Sequence, residues 1–381
     1  MVGDGSSNMN VVRCPSCGGR MKRNGKTSAG RTRWRCKGCG ASLVGSVDNS
    51  AKRLGEFLRW LLSKDRQADM PGGGRTFRRR SAEFWRVWPL PPVTGEVCRV
   101  VFVDGIHLGR KACVLIARSE EHVLGWYVSR SESSSAYRAL MARIAPPEVV
   151  VTDGGSGFGR ARRELWPGTR VQRCTFHAFE QVKRYTTTRP RTQAGVDLYA
   201  LAKRLLKVED SAQAAAWLAA YASWCATYDE FLREETTNDE GRTFPAHERL
   251  VKARNSLTSL VRSGQLFTYV DPDLVGRLGP LPATNNAVES LNARLRAMLR
   301  EHRGLSLERR IKAVYWWCYM HTERPLTAAE ILRAMPTDED VAREMRAISY
   351  EDRASLGPQR WGDGLVWEEL HRSSPWRRDW D

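Results

Sequence analysis

Val97-Cys-Arg-Val-Val-Phe-Val-Asp-Gly105 and Glu148-Val-Val-Val-Thr-Asp-Gly-Gly155 are the two stretches that decide the fold. Each is a run of β-branched and apolar residues that ends in Asp-Gly. Such runs suit strands buried on both faces rather than strands with one wet side. Working outward, Ala112 to Ala117 and Val123 to Ser129 read as two further strands, each reached through a short turn. Ser133 to Ala145 reads as a helix, opened by a serine cluster and closed by Pro146-Pro147. A helix from about Phe158 to Leu165 and a strand near Arg170 to Cys174 complete the unit.

Three strands, a helix, a strand, a helix and a strand is the element order of an α/β, RNase H-like fold with a mixed five-stranded sheet. In that layout the first and fourth strands lie side by side, so Asp104 and Asp153 are expected within a few ångströms of each other. Two carboxylates that close repel unless cations bridge them. Hard oxygen donors suit Mg²⁺ or Mn²⁺. The competing reading is that Asp-Gly after a strand is simply a turn signal.

A third carboxylate is sought on a helix. Thr284-Asn-Asn-Ala-Val-Glu-Ser-Leu-Asn292 starts one, with Leu291, Leu295, Met298 and Leu299 as its apolar face. Glu289 sits in the first turn, near the positive end of the helix dipole. Arg294, Arg296 and Arg300 follow on later turns and suit phosphate. Between residues 178 and 283 the pattern is helical throughout, with Ala194 to Leu232 rich in alanine and His247 to Leu260 continuing it. Trp217 and Trp224 in this stretch read as core residues, with stacking on a displaced base as the alternative.

The N-terminus carries Cys14-Pro-Ser-Cys17 and Cys36-Lys-Gly-Cys39, two Cys-x-x-Cys pairs separated by 18 residues. Four thiolates in two tight turns make a tetrahedral Zn²⁺ site, so residues 1–46 are expected to form a zinc ribbon. Residues 1–95 hold 19 Lys/Arg against 6 Asp/Glu, a net of +13 out of +18 for the whole chain. That charge is concentrated beside the metal motif, as a phosphate-docking surface would be. Arg33 and Arg35 lie between the two knuckles. Residues 47–94 read as a helical DNA-binding segment. An amphipathic helix runs from Ala51 to about Ala68, Pro71-Gly-Gly-Gly74 breaks it, and a second helix runs from about Thr76 to Trp88. Arg78, Arg79 and Arg80 fall near the start of the second helix, which suits a helix-turn-helix; a solvated helical hairpin is the competing reading.

Taken together, the Asp-Gly strand ends, the Asn-Asn-Ala-Val-Glu-Ser-Leu-Asn stretch and Cys174-Thr-Phe-His177 resemble the Mutator-type DDE transposases. The likeness runs from Cys14 to about Pro325 and is nearest to bacterial insertion-sequence members that carry a zinc ribbon. The resemblance implies a metal-dependent DNA transposase with Asp104, Asp153 and Glu289 as its acidic triad. It also implies two Mg²⁺ (or Mn²⁺) per site and one structural Zn²⁺ on Cys14, Cys17, Cys36 and Cys39. The core is then residues 95–177 and 284–325, interrupted by an all-helical insertion at 178–283 and followed by a tryptophan-rich tail at 326–381. His177 stands as a further catalytic candidate beside the reading that it packs locally. The expected partners are duplex DNA, both terminal inverted repeats and target, and further copies of the chain once bound. Absence of an apolar leader or long apolar run argues for a cytoplasmic, nucleoid-associated protein with no membrane partner. Two rival readings are a non-catalytic zinc-ribbon DNA-binding protein derived from a transposase, and another RNase H-like nuclease.

Overall fold

The structure, a computed structural model, describes residues 12–44 and 49–347. The chain divides into two compact units, the break falling after Gly55. In the first unit, strands β1 (Met21–Lys26), β2 (Thr32–Cys36) and β3 (Ser42–Val44) form an antiparallel sheet in that order. Helix α1 (Ser50–Leu62) follows.

In the second unit, α2 (Gly73–Ser81) leads through a 3₁₀ turn, Ala82–Arg86, to the central sheet. Strands β4 (Val100–His107), β5 (Cys113–Arg118) and β6 (Val123–Ser129) are followed by α3 (Ser134–Met141), β7 (Val149–Thr152), α4 (Ser156–Leu165) and β8 (Arg170–Arg173). The strand order is β6-β5-β4-β7-β8. Pairing is antiparallel from β6 to β4 and parallel from β4 to β8. This is a mixed α/β architecture, and the first and fourth strands of the sheet are neighbours.

Both faces of the sheet are covered, which is why its strands read as continuous apolar runs. Val101, Val103, Cys113 and Val150 pack with α3 and α4 residues such as Tyr137 and Phe158. Val100, Phe102, Val149 and Val151 join a second core with the helices that follow β8. Those helices are α5 (Thr175–Thr186), α6 (Gln193–Arg204), α7 (Ser211–Thr227) and α8 (Asp229–Arg233). A hairpin of β9 (Glu235–Thr237) and β10 (Thr243–Pro245) comes next, then α9 (Glu248–Arg262) and α10 (Pro272–Leu278). The last elements are α11 (Asn286–Glu301), α12 (Leu307–Tyr319), α13 (Ala328–Ala334) and α14 (Asp338–Ala347).

Three sequence expectations need correction. The strand expected to stop at Asp104-Gly105 runs on to His107, because β5 continues to pair with it through His107↔Cys113. The turn lies at Gly109, whose φ is +76°. Second, the stretch 178–283 is not wholly helical: it holds β9 and β10, exposed but for the half-buried Pro245, so no alternation marks them. Third, Arg78, Arg79 and Arg80 occupy the last turn of α2, not its start, because the helix already begins at Gly73. Cations there complement the carbonyl end of the helix. Trp217 and Trp224 are core residues, as expected: both are buried and donate their indole N–H to Leu201 O and Ala194 O, so the stacking alternative falls away.

The second half of α1 packs against the α11–α12 region. Trp60 lies 4.5 Å from the His302 ring, and Phe57 meets Trp316 edge-on. Lys312 is fully buried and donates to Trp85 O (2.7 Å) and to Asp338 (2.6 Å). A buried ammonium needs such partners, so this contact ties three segments together. The tail tryptophans Trp361, Trp367, Trp376 and Trp380 lie outside the described residues, as do Met1 to Asn10.

Candidate active site and cysteine cluster

Parallel pairing between β4 and β7 ends at Val103↔Thr152. The next residue on each chain is an aspartate, so Asp104 and Asp153 leave the ladder side by side. Both are half-buried. Burial pushes the Asp104 carboxyl up to about 6, and the charges of Asp153 and Glu132 add to that. The Gly105 amide and the Asn292 side chain oppose the shift, with Asn292 Nδ2 donating to Asp104 Oδ2 at 2.8 Å.

Glu289 reaches the same region from α11. The start of that helix is pinned from three sides. Thr175 N–H donates to Ala283 O (3.0 Å), Asn285 N–H to Cys174 Sγ (3.3 Å), and Arg118 Nη1 to Ala287 O (3.0 Å). Glu289 Oε1 then lies 3.5 Å from His177 Nδ1, too long to satisfy either, and both atoms are buried without a hydrogen-bond partner among the described residues. Cys174, His177 and Glu289 form one close group of possible ligands. Burial raises the Cys174 thiol, but its contact with His177 and nearby amides outweighs that and lowers it. His177 is held above the ordinary imidazole value by Cys174 first, with Glu289 and Asp153 adding to the effect.

The carboxylates are therefore linked in sequence. Asp104 feels Asp153, and His177 feels both Asp153 and Glu289. Among the described residues, the three acids do not themselves form one cluster of close ligand atoms; Glu289 is grouped with Cys174 and His177 instead. Asp104 and Asp153 repel each other, as hard oxygen ligands of a divalent cation would, and Glu289 Oε1 is buried without a partner next to His177. Because a carboxylate must be deprotonated to bind metal, affinity at this site should weaken as pH falls below about 6, the value to which Asp104 is pushed.

Sequence reasoning gave no role to three residues here. Asn292 stands one turn after Glu289 on α11, and its spacing alone would have put it on the same face. Arg173 is buried beside Asp153, and a side chain on Gly154 would collide with its guanidinium. Burial lowers Arg173 and the Asp153 charge raises it, so the two compensate in part. Glu132 lies in the loop before α3 and carried no sequence signal. Asn292→Ala should free the Asp104 carboxylate and reduce metal affinity about 10–100-fold, as loss of a ligand-orienting hydrogen bond does, with little change in melting temperature. Calorimetric titration with Mn²⁺ checks this.

Arg296 and Arg300 are exposed and line an open groove with His107, Arg303 and Arg310. Arg303 also lines a second groove, with Arg66, Arg78 and Arg309. Arg294 is exposed and lies over the Trp317 ring at 5.5 Å. Arg79 and Arg80 are exposed on α2.

In the first unit, Cys14, Cys17, Cys36 and Cys39 converge, their sulfurs within 4.8 Å of one another. Cys14 meets Cys39 and Cys17 meets Cys36 at 3.5 Å each. Sulfurs around a tetrahedral zinc are about 3.8 Å apart, from Zn–S bonds near 2.3 Å, so the group fits. The Ser16 amide leads in holding the Cys14 thiol down at about 6, while Cys17, despite the Gly19 amide, is pushed up to about 12 by the other three sulfurs. Four thiolates so close need a cation. Arg33 and Arg35 are exposed on β2, and Trp34 between them packs toward the small core.

No protein-family model matches the chain. It is 25% identical over 223 residues to the transposase for insertion sequence element IS6120 of Mycolicibacterium smegmatis, covering 53% of this chain and 68% of that protein. It is 29% identical over 184 residues to the transposase for insertion sequence element IS406 of Burkholderia multivorans, covering 45% of this chain and 44% of that protein.

Proposed function

We propose that this chain is a DNA transposase of the DDE type, of the zinc-ribbon-bearing Mutator-type branch, built on an RNase H-like core. The observation that carries the reading is that Asp104 and Asp153 stand side by side where the parallel pairing of β4 and β7 ends, with the Glu289 helix tied to Asp104 through Asn292. The likeness to two insertion-sequence transposases supports it.

In this reading Asp104, Asp153 and Glu289 hold two Mg²⁺ or Mn²⁺ ions. When bound, such ions neutralise phosphate charge and acidify water. The chain's own residues do the rest. Asn292 fixes the Asp104 carboxylate, and His177 holds a proton next to Glu289. Arg296 and Arg300 grip the DNA backbone and Arg78 extends that grip through the groove that shares Arg303, with the exposed Arg79, Arg80 and Arg294 as further phosphate contacts. Hydrolysis at the element's end frees a 3′-hydroxyl, which then attacks target DNA at the same centre, with no protein–DNA covalent link. The zinc ribbon contributes Arg33 and Arg35 to end recognition. Joining two ends requires at least two copies of the chain on DNA. No helix among the described residues is long and apolar enough to cross a membrane.

The test is Mg²⁺-dependent strand cleavage of duplexes carrying the sequences that flank the coding region. The transposase reading expects cuts at the inverted-repeat ends and joining to a second duplex. Binding without cuts points to a non-catalytic DNA-binding protein, and cuts without preference for those ends point to another nuclease.

A further inference from the structure

The loop before α3 brings Glu132 against the end of β4, beside His107 and Cys113. His107 and Cys113 are directly opposed in the β4–β5 ladder, so their side chains share a face of the sheet. The two-residue period groups them with Gly105 rather than with Asp104. His107 Nε2 lies 3.1 Å from Glu132 Oε1, and Cys113 Sγ lies 4.0 Å from the same oxygen. The three ligand atoms all fall within 4.8 Å of one another. Ligand atoms around a tetrahedral zinc with one sulfur are about 3.3–3.6 Å apart, from bond lengths near 2.0–2.3 Å.

We propose that His107, Cys113 and Glu132 form a second zinc-type metal site, with three protein ligands and an open fourth position. A thiolate and an imidazole select Zn²⁺ over Mg²⁺, which prefers oxygen alone. Two features of the surroundings are those of a built site. Gly105 keeps the centre clear: a Cβ there would collide with Glu132 and come within 2.9 Å of Cys113 Sγ. The buried Tyr137 donates its hydroxyl to Glu132 Oε2 at 3.1 Å, which orients the carboxylate from behind, as partners of metal ligands do. The His107 side chain is 58% exposed, so the fourth position opens to solvent. A plain histidine–glutamate ion pair would need neither the thiol nor the cleared space.

The inference stands apart from the transposase reading, because metal stoichiometry does not depend on DNA cleavage. The experiment is zinc content of the full chain, stripped and then reloaded under reducing conditions. Two equivalents are expected for the wild type and for Cys174→Ser, and one for Cys113→Ser and for Glu132→Gln. Glu132→Gln keeps the side-chain volume and the Tyr137 hydrogen bond, so a matching melting curve without zinc guards against misfolding. One equivalent in the wild type, or two in either the Cys113 or the Glu132 variant, overturns the proposal.

Discussion

Asp104→Asn is expected to slow strand cleavage by about 10³-fold or more, since a carboxylate that would hold a catalytic divalent ion contributes several kcal/mol of charge stabilisation. The same variant should melt at the same temperature as the wild type, or higher, when no divalent metal is present. The sign follows from the carboxyl's surroundings. Asp104 is pushed up to about 6, first by burial and then by Asp153 and Glu132. Its folded value lies above the usual carboxylate range, so its favourable contribution is present below pH ~4 and is lost as pH rises through about 6. At pH 7 the charge is a cost to the metal-free chain, and asparagine removes it while keeping the shape. A residue retained for packing would behave the opposite way, losing stability without a selective effect on chemistry. Activity assays beside melting curves with and without Mg²⁺ separate the two.

Zinc removal, or Cys36→Ser, is expected to unfold residues 12–44 while the unit from Glu56 onward keeps its own melting transition. Among the described residues, only Cys14, Met21 and Cys36 are buried in the ribbon core, with Val12, Trp34, Ala41 and Leu43 partly so. A core that small does not offset chain entropy, and a structural zinc site supplies about 10–16 kcal/mol in comparable peptides. The loss should appear as collapsed amide protection across β1 to β3, and as weaker binding to end DNA. Unchanged DNA affinity in the unfolded-ribbon protein would return Arg33 and Arg35 to a surface with no part in recognition.

The central sheet was legible because its strands are buried on both faces and so read as unbroken apolar runs. Asp104 and Asp153 could be singled out because each interrupts such a run. The length of β4 was hidden because Asp104-Gly105 resembles a turn, whereas Gly105 is there for space: a Cβ would strike Glu132. Glu132 itself sits in a serine-rich loop, and only the packing of that loop brings it near Asp104. Glu289 was found through its neighbours in the Asn-rich stretch, but its tie to His177 and Cys174 depends on a chain that returns after more than a hundred residues. Arg78 to Arg80 were placed on the right helix and at the wrong end, since Gly73 and Gly74 join the helix instead of breaking it. The β9–β10 hairpin is exposed except for the half-buried Pro245 and therefore leaves no pattern.

Binding of Mn²⁺ to the full chain loaded with two equivalents of zinc, followed by electron paramagnetic resonance, bears most directly on the carboxylate centre. Stoichiometric zinc occupies the thiol sites first, so the manganese signal reports the oxygen ligands. The wild type should bind Mn²⁺, and the Asp104→Asn, Asp153→Asn double variant should not, at the same pH and ionic strength. Equal Mn²⁺ binding by the two proteins would contradict the assignment of Asp104 and Asp153 as metal ligands.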